Sequence, residues 1–126
     1  MENHKEVKFI TPHKLGILGE ETAQNYLKKK KFKILEKGFC LYRGEIDLIA
    51  YDGETLVFIE VKTRGPGALG LPEESVNKRK QGQIRKIAEG YLAMNSIDEV
   101  ECRFDVVSLL FDENGDYSLS HYKDAF

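Results

Sequence analysis

The segment Gly44–Arg64, with the sequence GEIDLIAYDGETLVFIEVKTR, constrains the fold of this chain more than any other segment. Apolar and polar residues alternate on both sides of the Asp52-Gly53 pair, and Asp-Gly is a favoured pair in the tight turn of a β-hairpin. The segment therefore predicts two antiparallel strands joined by a two-residue loop. Strands that only fill a core would not carry the charged residues found here, which are Glu45, Asp47, Glu60 and Lys62.

The alternation assigns the side chains of this hairpin to two faces, because successive side chains of a strand point to opposite sides of the sheet. The residues predicted on the apolar face are Ile46, Leu48, Ala50, Val57, Ile59 and Val61. The residues predicted on the other face are Glu45, Asp47, Ile49, Tyr51, Phe58, Glu60, Lys62 and Arg64. The apolar face is expected to pack on a core, so the charged groups are expected to lie together on the opposite side.

The register of the hairpin decides how close the carboxylates come. A loop at residues 53–54 would place Asp47 directly opposite Glu60, and a loop at residues 52–53 would place it diagonally. Either even-length loop keeps both carboxylates on the face of Lys62, whereas an odd loop without a bulge would separate them. Like charges that face each other destabilise a sheet, so a lysine, a proton or a divalent cation must offset the repulsion.

Metal-assisted hydrolysis of a phosphodiester is the chemistry that suits this arrangement. Magnesium prefers hard oxygen ligands, and one or two carboxylates with waters and a phosphate oxygen are sufficient. A bound ion acidifies water and offsets the charge that develops on the phosphate. Lys62 lies two residues beyond Glu60 and points the same way, so it can position the attacking water or stabilise the transition state.

The rest of the chain predicts helices on either side of this hairpin. Thr11-Pro12 is a helix-start signal, and the apolar spacing that follows predicts a helix that ends within the lysine run at residues 28–31. A second helix is predicted at about residues 78–94, with Ser75 or Asn77 as its N-cap.

The remaining segments predict strands and a loop. FKILEKGFCLY is β-leaning, GPGALGLPEES reads as a loop, CRFDVVSLLF is strand-like and YSLSHY is a short edge strand. The order α, β, β, β, α, β, β predicts an α/β fold in which a mixed β-sheet is flanked by helices. The long crossover before CRFDVVSLLF permits one parallel pairing.

Length and composition predict a single domain spanning residues 1–126, with residues 1–10 as a flexible arm. The chain contains neither an apolar run of membrane-spanning length nor a secretory h-region, so no membrane partner is expected. Its two cysteines, Cys40 and Cys102, are far apart and are expected to be reduced and packed. These features together predict a cytoplasmic location.

Charge is distributed unevenly along the chain. The net charge is −2, but residues 98–126 contain eight acidic residues against two basic ones. The basic residues are concentrated in KKKKFK (residues 28–33) and KRKQGQIRK (residues 78–86). Each cluster could contact phosphates, and each could equally be a solvated helix end or face.

The hairpin residues GEIDLIA, DG and LVFIEVKTR resemble the PD-(D/E)xK nuclease signature. The chain more closely resembles the YraN-like family of predicted endonucleases, which is related to archaeal Holliday-junction resolvases. The segments LGEETAQNYL, LPEESVNKRKQ, IAEGYL and RFDVV follow the order and spacing of that family, so the resemblance covers most of residues 13–108. It implies a restriction-endonuclease-like fold. Ile46 stands where the signature has its proline.

Position by position, the resemblance implies that Asp47 and Glu60 are ligands of Mg²⁺ or Mn²⁺ and that Lys62 is the catalytic lysine. Glu20 corresponds to a helical glutamate that often completes such sites, although it could also be a surface carboxylate of the helix. Glu45 shares the charged face and could pair with a nearby cation. Lys80 and Gln81 are expected near the site.

The leading hypothesis is a Mg²⁺-dependent nuclease that cuts DNA, with branched DNA as one substrate class. A resolvase-like role would require a homodimer, because two strands must be cut symmetrically. The alternatives are a nucleic-acid-binding module that keeps the fold without cutting, and a structural protein whose hairpin charges form surface salt bridges. The residues expected to contact nucleic acid are Lys28, Lys29, Lys30, Arg64, Lys78, Arg79 and Arg85.

Overall fold

The part of the chain that the structure describes contains two helices and five strands, in the order predicted from the sequence. The computed structural model describes residues 10–67 and 76–126. The elements are α1 (Pro12–Lys29), β1 (Lys33–Leu41), β2 (Gly44–Asp52), β3 (Thr55–Arg64), α2 (Lys78–Met94), β4 (Cys102–Phe111) and β5 (Tyr117–Tyr122). Almost all of the predicted N-terminal arm, most of the loop predicted at residues 65–75, and Ser75 as an N-cap lie outside the described residues.

Both helices begin at the caps that the sequence predicts. The Thr11 hydroxyl oxygen accepts a hydrogen bond of 3.2 Å from the backbone N–H of Lys14. The Asn77 side-chain oxygen accepts one of 2.9 Å from the backbone N–H of Lys80. These bonds satisfy backbone donors that have no partner inside the helix, which is why such residues favour the N-cap. Helix α1 ends within the lysine run, where cations suit the negative end of the helix dipole.

The five strands form one mixed sheet in the order β1-β2-β3-β4-β5. β3 and β4 are parallel, as the crossover through α2 permits, and the other neighbours are antiparallel. β5 is an edge strand, as predicted. The fold is therefore α/β with a five-stranded mixed sheet flanked by two helices, and it is consistent with a restriction-endonuclease-like fold.

Each face of the sheet is covered by one helix, which produces two cores. Under α1, Ala23 and Leu27 of the helix pack with Leu48, Ala50, Val57, Ile59, Val107 and Leu109 of the sheet. Under α2, Ile84, Ile87, Ala88 and Tyr91 pack with Ile46, Ile49, Leu56, Phe58 and Val106. Both faces of the central strands are consequently buried, as is usual where helices lie on both sides of a sheet.

One predicted face assignment is wrong. Ile46 packs under α2, whereas Leu48 packs under α1, so the two residues do not share a face. The alternation changes at Asp47, which lies across from Gly38 between two regular pairs of the β1–β2 ladder. Gly38 has a φ of 62°, a conformation that side chains disfavour, and this local irregularity lets the strands reverse which side they present.

The two cysteines are free, and both are exposed rather than packed as predicted. In the two described ranges, no helix combines the length and the apolar character needed to cross a lipid bilayer.

Candidate metal centre

The hairpin loop selects one of the two predicted registers. Asp52 pairs with Thr55, so residues 53–54 form the loop, and the pairing continues up to Leu48 and Ile59. Within the described part of the chain, the pairing of β2 with β3 ends there. Both strands continue, β2 along β1 and β3 along β4. The two central strands thus part at the next positions, which are Asp47 and Glu60.

Beyond the last β2–β3 backbone pair, the Asp47 side chain makes the next contact between the two strands. One of its carboxylate oxygens accepts a hydrogen bond of 2.7 Å from the backbone N–H of Val61. Val61 is partly buried against the core under α1. The carboxylate is therefore fixed to the opposite strand at a point where that strand is itself anchored.

Helix α1 brings a further carboxylate to this point. Gly19 is fully packed, and a Cβ at this position would overlap the side chain of Thr63 on β3. The absence of a side chain lets α1 approach the end of β3 closely, and the next residue is Glu20. Carboxylate oxygens of Glu20, Glu45 and Asp47 all lie within 4.8 Å of one another. We call these three residues the carboxylate cluster.

Glu60 lies beside the carboxylate cluster and is held by two lysines. Its side chain is only 5% exposed, and its Oε2 is 2.8 Å from Nζ of Lys80 and 3.5 Å from Nζ of Lys62. Lys80 comes from the first turn of α2, so the charges converge from both helices and both central strands. The hydrogen bond to Glu60 raises the pKa of Lys80, which remains a cation.

The electrostatic environment of Asp47 favours its protonated form. Burial, the charge of Glu60 and the charge of Glu20 raise the pKa of Asp47 to about 8, although the hydrogen bond from Val61 acts in the opposite direction. Burial and the charges of Glu45 and Glu60 also raise the pKa of Glu20. Because positive charge favours the ionised form of a carboxylic acid, the raised pKa values indicate that the negative charges around Asp47 and Glu20 are not balanced by nearby cations.

The donor set fits a hard divalent cation. All three groups of the carboxylate cluster offer oxygen, which is the ligand type that Mg²⁺ prefers. Oxygens bound to one Mg²⁺ at about 2.1 Å can be at most about 4.2 Å apart. The observed limit of 4.8 Å is therefore within reach of small side-chain rotations. Of the residues predicted at the site, the structure brings Glu20, Glu45 and Asp47 together in this cluster.

The other residues predicted to act at the site or on nucleic acid have several environments. Gln81 donates its side-chain amide to the carbonyl of Val76, 3.0 Å away, so it supports the start of α2. Arg85 stacks its guanidinium on the rings of Phe104 and Phe126, at 4.6 and 5.6 Å. The remaining predicted contacts lie at the end of α1 (Lys28, Lys29, Lys30), at the end of β3 (Arg64) and at the start of α2 (Lys78, Arg79).

Two arrangements were not predicted from the sequence. A groove along α2 is lined by Tyr42 together with Arg79, Lys80 and Lys86. Its cations belong to the basic cluster at residues 78–86, but no sequence pattern places Tyr42, from the loop between β1 and β2, beside them.

The second unpredicted arrangement surrounds Asp105, which is fully buried in β4. It accepts hydrogen bonds from Arg103 at 2.9 and 3.0 Å and from the backbone N–H of Asp124 at 3.0 Å, and it lies 2.8 Å from Nε2 of His121. The other ring nitrogen of His121 lies 3.0 Å from the Tyr26 hydroxyl. Apart from Arg103, its members are distant in sequence from Asp105, so no local pattern marks the arrangement.

Comparison with known proteins identifies the relatives of this chain. Residues 19–109 match the model of a family described as "Uncharacterised protein family UPF0102". A UPF0102 protein of Chlorobium phaeobacteroides is 43% identical over 120 residues, which cover 91% of this chain and 94% of the relative. A UPF0102 protein of Alkaliphilus oremlandii is 44% identical, covering 90% and 97%. One from Geotalea daltonii is 46% identical, covering 89% and 88%. With this fold, and with matches along most of its length, the chain belongs to the UPF0102 (YraN) family.

Proposed function

We propose that this protein is a divalent-metal-dependent nuclease that hydrolyses phosphodiester bonds of DNA, with Mg²⁺ or Mn²⁺ as its cofactor and branched DNA as one substrate class. The observation that carries the proposal is the place where β2 and β3 part. A partly buried aspartate there, Asp47, has a pKa raised to about 8 and lies among further carboxylates, with two lysines beside them. In such a site the carboxylates can bind a cation, and the cation and the lysines can bind a phosphate.

The residues that would hold the metal are Glu20, Glu45 and Asp47, with Glu60 adjacent. When bound, a divalent ion supplies positive charge against the phosphate and acidifies water. Asp47 must lose its proton to act as a ligand, and the Val61 N–H holds the ionised carboxylate in place.

The two lysines at Glu60 would act on the phosphate and on the attacking water. Lys62 extends from β3 and is 22% exposed, so it can reach both Glu60 and solvent. An ammonium held in this position stabilises negative charge that develops on a phosphate oxygen. Lys80 holds the Glu60 side chain in place, because it makes a 2.8 Å ion pair with a carboxylate that is otherwise buried.

A cleavage assay tests the proposal. Supercoiled plasmid, a four-way junction and a single-stranded oligonucleotide are incubated with Mg²⁺, with Mn²⁺ or with EDTA. We expect cleavage with metal and none with EDTA. Asp47→Asn and Lys62→Ala are expected to lower the rate by about 10²-fold or more, the usual effect of removing a group that stabilises the transition state.

A matched control separates loss of the site from loss of charge. Glu54→Gln removes an exposed carboxylate in the β2–β3 loop, outside the carboxylate cluster, and should cut like the wild type. Equal residual cleavage by the wild type and by Asp47→Asn would trace the activity to a contaminant and reject the proposal.

One observation favours a second candidate, a nucleic-acid-binding module with this fold that does not cut. Glu60 is already neutralised by two lysines, and it does not belong to the group of carboxylates whose oxygens lie within 4.8 Å of one another. If that pairing persists when a metal binds, Glu60 would not act as a ligand. Binding of DNA without cleavage under any tested metal would support the module.

A further inference from the structure

A groove of about 640 Å³ runs beside the first half of α2. We call it the α2 groove. Three cations line it, Arg79, Lys80 and Lys86, and among the described residues its lining includes no carboxylate. This contrasts with the net charge of the chain, which is −2. A concave surface with cations only is suited to a polyanion.

An aromatic ring forms one wall of the α2 groove. Tyr42 is 55% exposed, so its ring is accessible from solvent. The ammonium of Lys86 lies 5.1 Å from the centre of its ring. A Cβ on Gly90 of α2 would come within 3.1 Å of the same ring, so the ring is held against the helix rather than free in solvent.

The loop that carries Tyr42 is strained. Tyr42 and Arg43 have φ values of 53° and 59°, in the left-handed region that residues with side chains disfavour. A two-residue hairpin loop with positive φ at both positions strongly favours Asn-Gly. A tyrosine and an arginine in this loop therefore cost stability, and strain of this kind commonly marks a functional position.

The α2 groove leads to the carboxylates. Lys80 lines the groove and also makes the 2.8 Å ion pair with Glu60. A strand whose phosphates follow the cations of α2 would therefore reach the point where β2 and β3 part. Lys80 would therefore contact both the strand and Glu60, which lies beside the carboxylate cluster.

We propose that the α2 groove binds a nucleic-acid strand with unpaired bases, one of which stacks on Tyr42 while phosphates contact Arg79 and Lys86. Bases inside a duplex are stacked on their neighbours, so an exposed ring can only receive a base that has left the stack. This strand is the substrate of the proposed nuclease, so the inference rests on that proposal. It selects single-stranded or branched DNA over continuous duplex.

Binding without cleavage tests the inference. A fluorescein-labelled 15-nucleotide single strand and the matching duplex are titrated with the full-length protein in EDTA, and anisotropy is measured at several salt concentrations. We expect Tyr42→Ala to weaken single-strand binding by about 5- to 100-fold with an unchanged salt dependence, as for the loss of a stacked base. Tyr42→Phe should bind like the wild type.

The cations should have a different signature. Lys86→Gln is expected to weaken binding of both DNAs and to reduce the slope of log affinity against log salt by about 0.7 to 0.9, the effect of one lost phosphate contact. The matched aromatic control is Tyr117→Ala, because Tyr117 is 52% exposed but lies beside Asp112, Glu113 and Asp116. It should leave both affinities unchanged.

Stability provides an independent check. The double substitution Tyr42→Asn with Arg43→Gly should raise the melting temperature while it weakens single-strand binding, because it supplies the residues that the loop geometry favours. Equal single-strand affinities for Tyr42→Ala and Tyr117→Ala would overturn the inference. An equal loss of affinity for single strand and for duplex in Tyr42→Ala would also overturn it. Displacement of the single strand by polyglutamate as readily as by DNA would do the same, and would point to an acidic protein partner.

These outcomes are distinct from those of the proposed function. Lys62→Ala should abolish cleavage and keep the Tyr42-dependent binding. Tyr42-dependent binding without cleavage would reject the nuclease activity and keep the single-strand binding proposed for the α2 groove. Cleavage by a protein whose binding does not depend on Tyr42 would keep the nuclease activity and reject the proposed binding.

Discussion

Asp47 on β2 and Asp105 on β4 are two aspartates of one sheet, and their electrostatic surroundings are opposite. Asp105 is fully buried and is contacted by Arg103, by His121 and by a backbone amide. Burial alone would raise the pKa of Asp105, but the hydrogen bonds from His121 and Arg103 lower it. Asp47 has one backbone amide and several carboxylates, and its pKa is raised to about 8.

The difference separates a carboxylate that serves the fold from one that is suited to a ligand. The charge of Asp105 is compensated inside the chain, and its hydrogen bonds connect β4 to the C-terminal segment. The charge of Asp47 is opposed by its neighbours, so the folded chain carries a cost there that a bound cation would remove. The predictions below test this contrast through the free energy of unfolding, from the largest effect to the smallest.

Asp105→Asn is expected to lower the free energy of unfolding by about 3–5 kcal/mol, because it leaves the Arg103 guanidinium without its buried counterion. Urea denaturation at pH 7 measures the loss. The same substitution at Asp47 is the matched control, and it should be neutral or stabilising, since the amide oxygen can still accept from Val61. Equal losses for the two variants would remove the contrast.

Divalent cations should stabilise the protein through Asp47 and not through Asp105. At a Mg²⁺ or Mn²⁺ concentration of 100 times Kd, the free energy of unfolding should rise by about 2.7 kcal/mol. The comparison is made against NaCl of equal ionic strength, by urea denaturation. Asp105→Asn should keep this increment, whereas Asp47→Asn and Glu20→Gln should lose most of it. Chelation with EDTA should return the wild type to its starting stability.

The two aspartates should give opposite pH dependences when no divalent cation is present. Asp47 has an ordinary pKa of 3.8 and a folded value of about 8, so between these values the folded chain holds a proton that the unfolded chain releases. The free energy of unfolding therefore falls as pH rises through this interval, by at most about 1.4 kcal/mol per pH unit.

Asp105 has its pKa lowered, so its stabilisation is present above the ordinary value of 3.8 and is lost as pH falls through the lower folded value. The free energy of unfolding is measured by urea denaturation from pH 3 to pH 9. Above about pH 4 it should depend less on pH in Asp47→Asn than in the wild type, and below about pH 4 it should depend less on pH in Asp105→Asn. The reverse assignment of the two regions would contradict the contrast.

Tyr26→Phe is expected to have the smallest effect, a loss of about 0.5–1.5 kcal/mol, because it removes one hydrogen bond to His121 at the edge of the Asp105 network. Thermal or urea denaturation measures it. The increment from divalent cations should be unchanged, since Tyr26 lies outside the carboxylate cluster. A change in that increment would show that the two regions are linked.

Local sequence patterns predict most of the fold and the centre of the site. Capping residues and helical spacing are properties of short segments, so Thr11, Asn77 and both helices follow from the sequence. Alternation and the short loop at residues 53–54 bring Asp47 and Glu60 together, because the geometry of a hairpin depends on only a few residues.

What the sequence does not predict depends on contacts between distant segments. The reversal at Ile46 comes from an irregularity at Gly38, on another strand. The choice between the two readings of Glu20 depends on how closely Gly19 lets α1 approach Thr63. Arg103 lies two residues from Asp105, but His121 and Asp124 lie 16 and 19 residues away, and no periodic pattern relates these two to it.

The hydrogen bond from the Val61 amide to Asp47 also provides a spectroscopic probe of the proposed centre. The amide proton lies between a core strand and the carboxylate, so its chemical shift should follow the charge of that carboxylate. A single ¹⁵N–¹H resonance could then report proton release, cation binding and the approach of a phosphate in one titration, without a label near the chemistry.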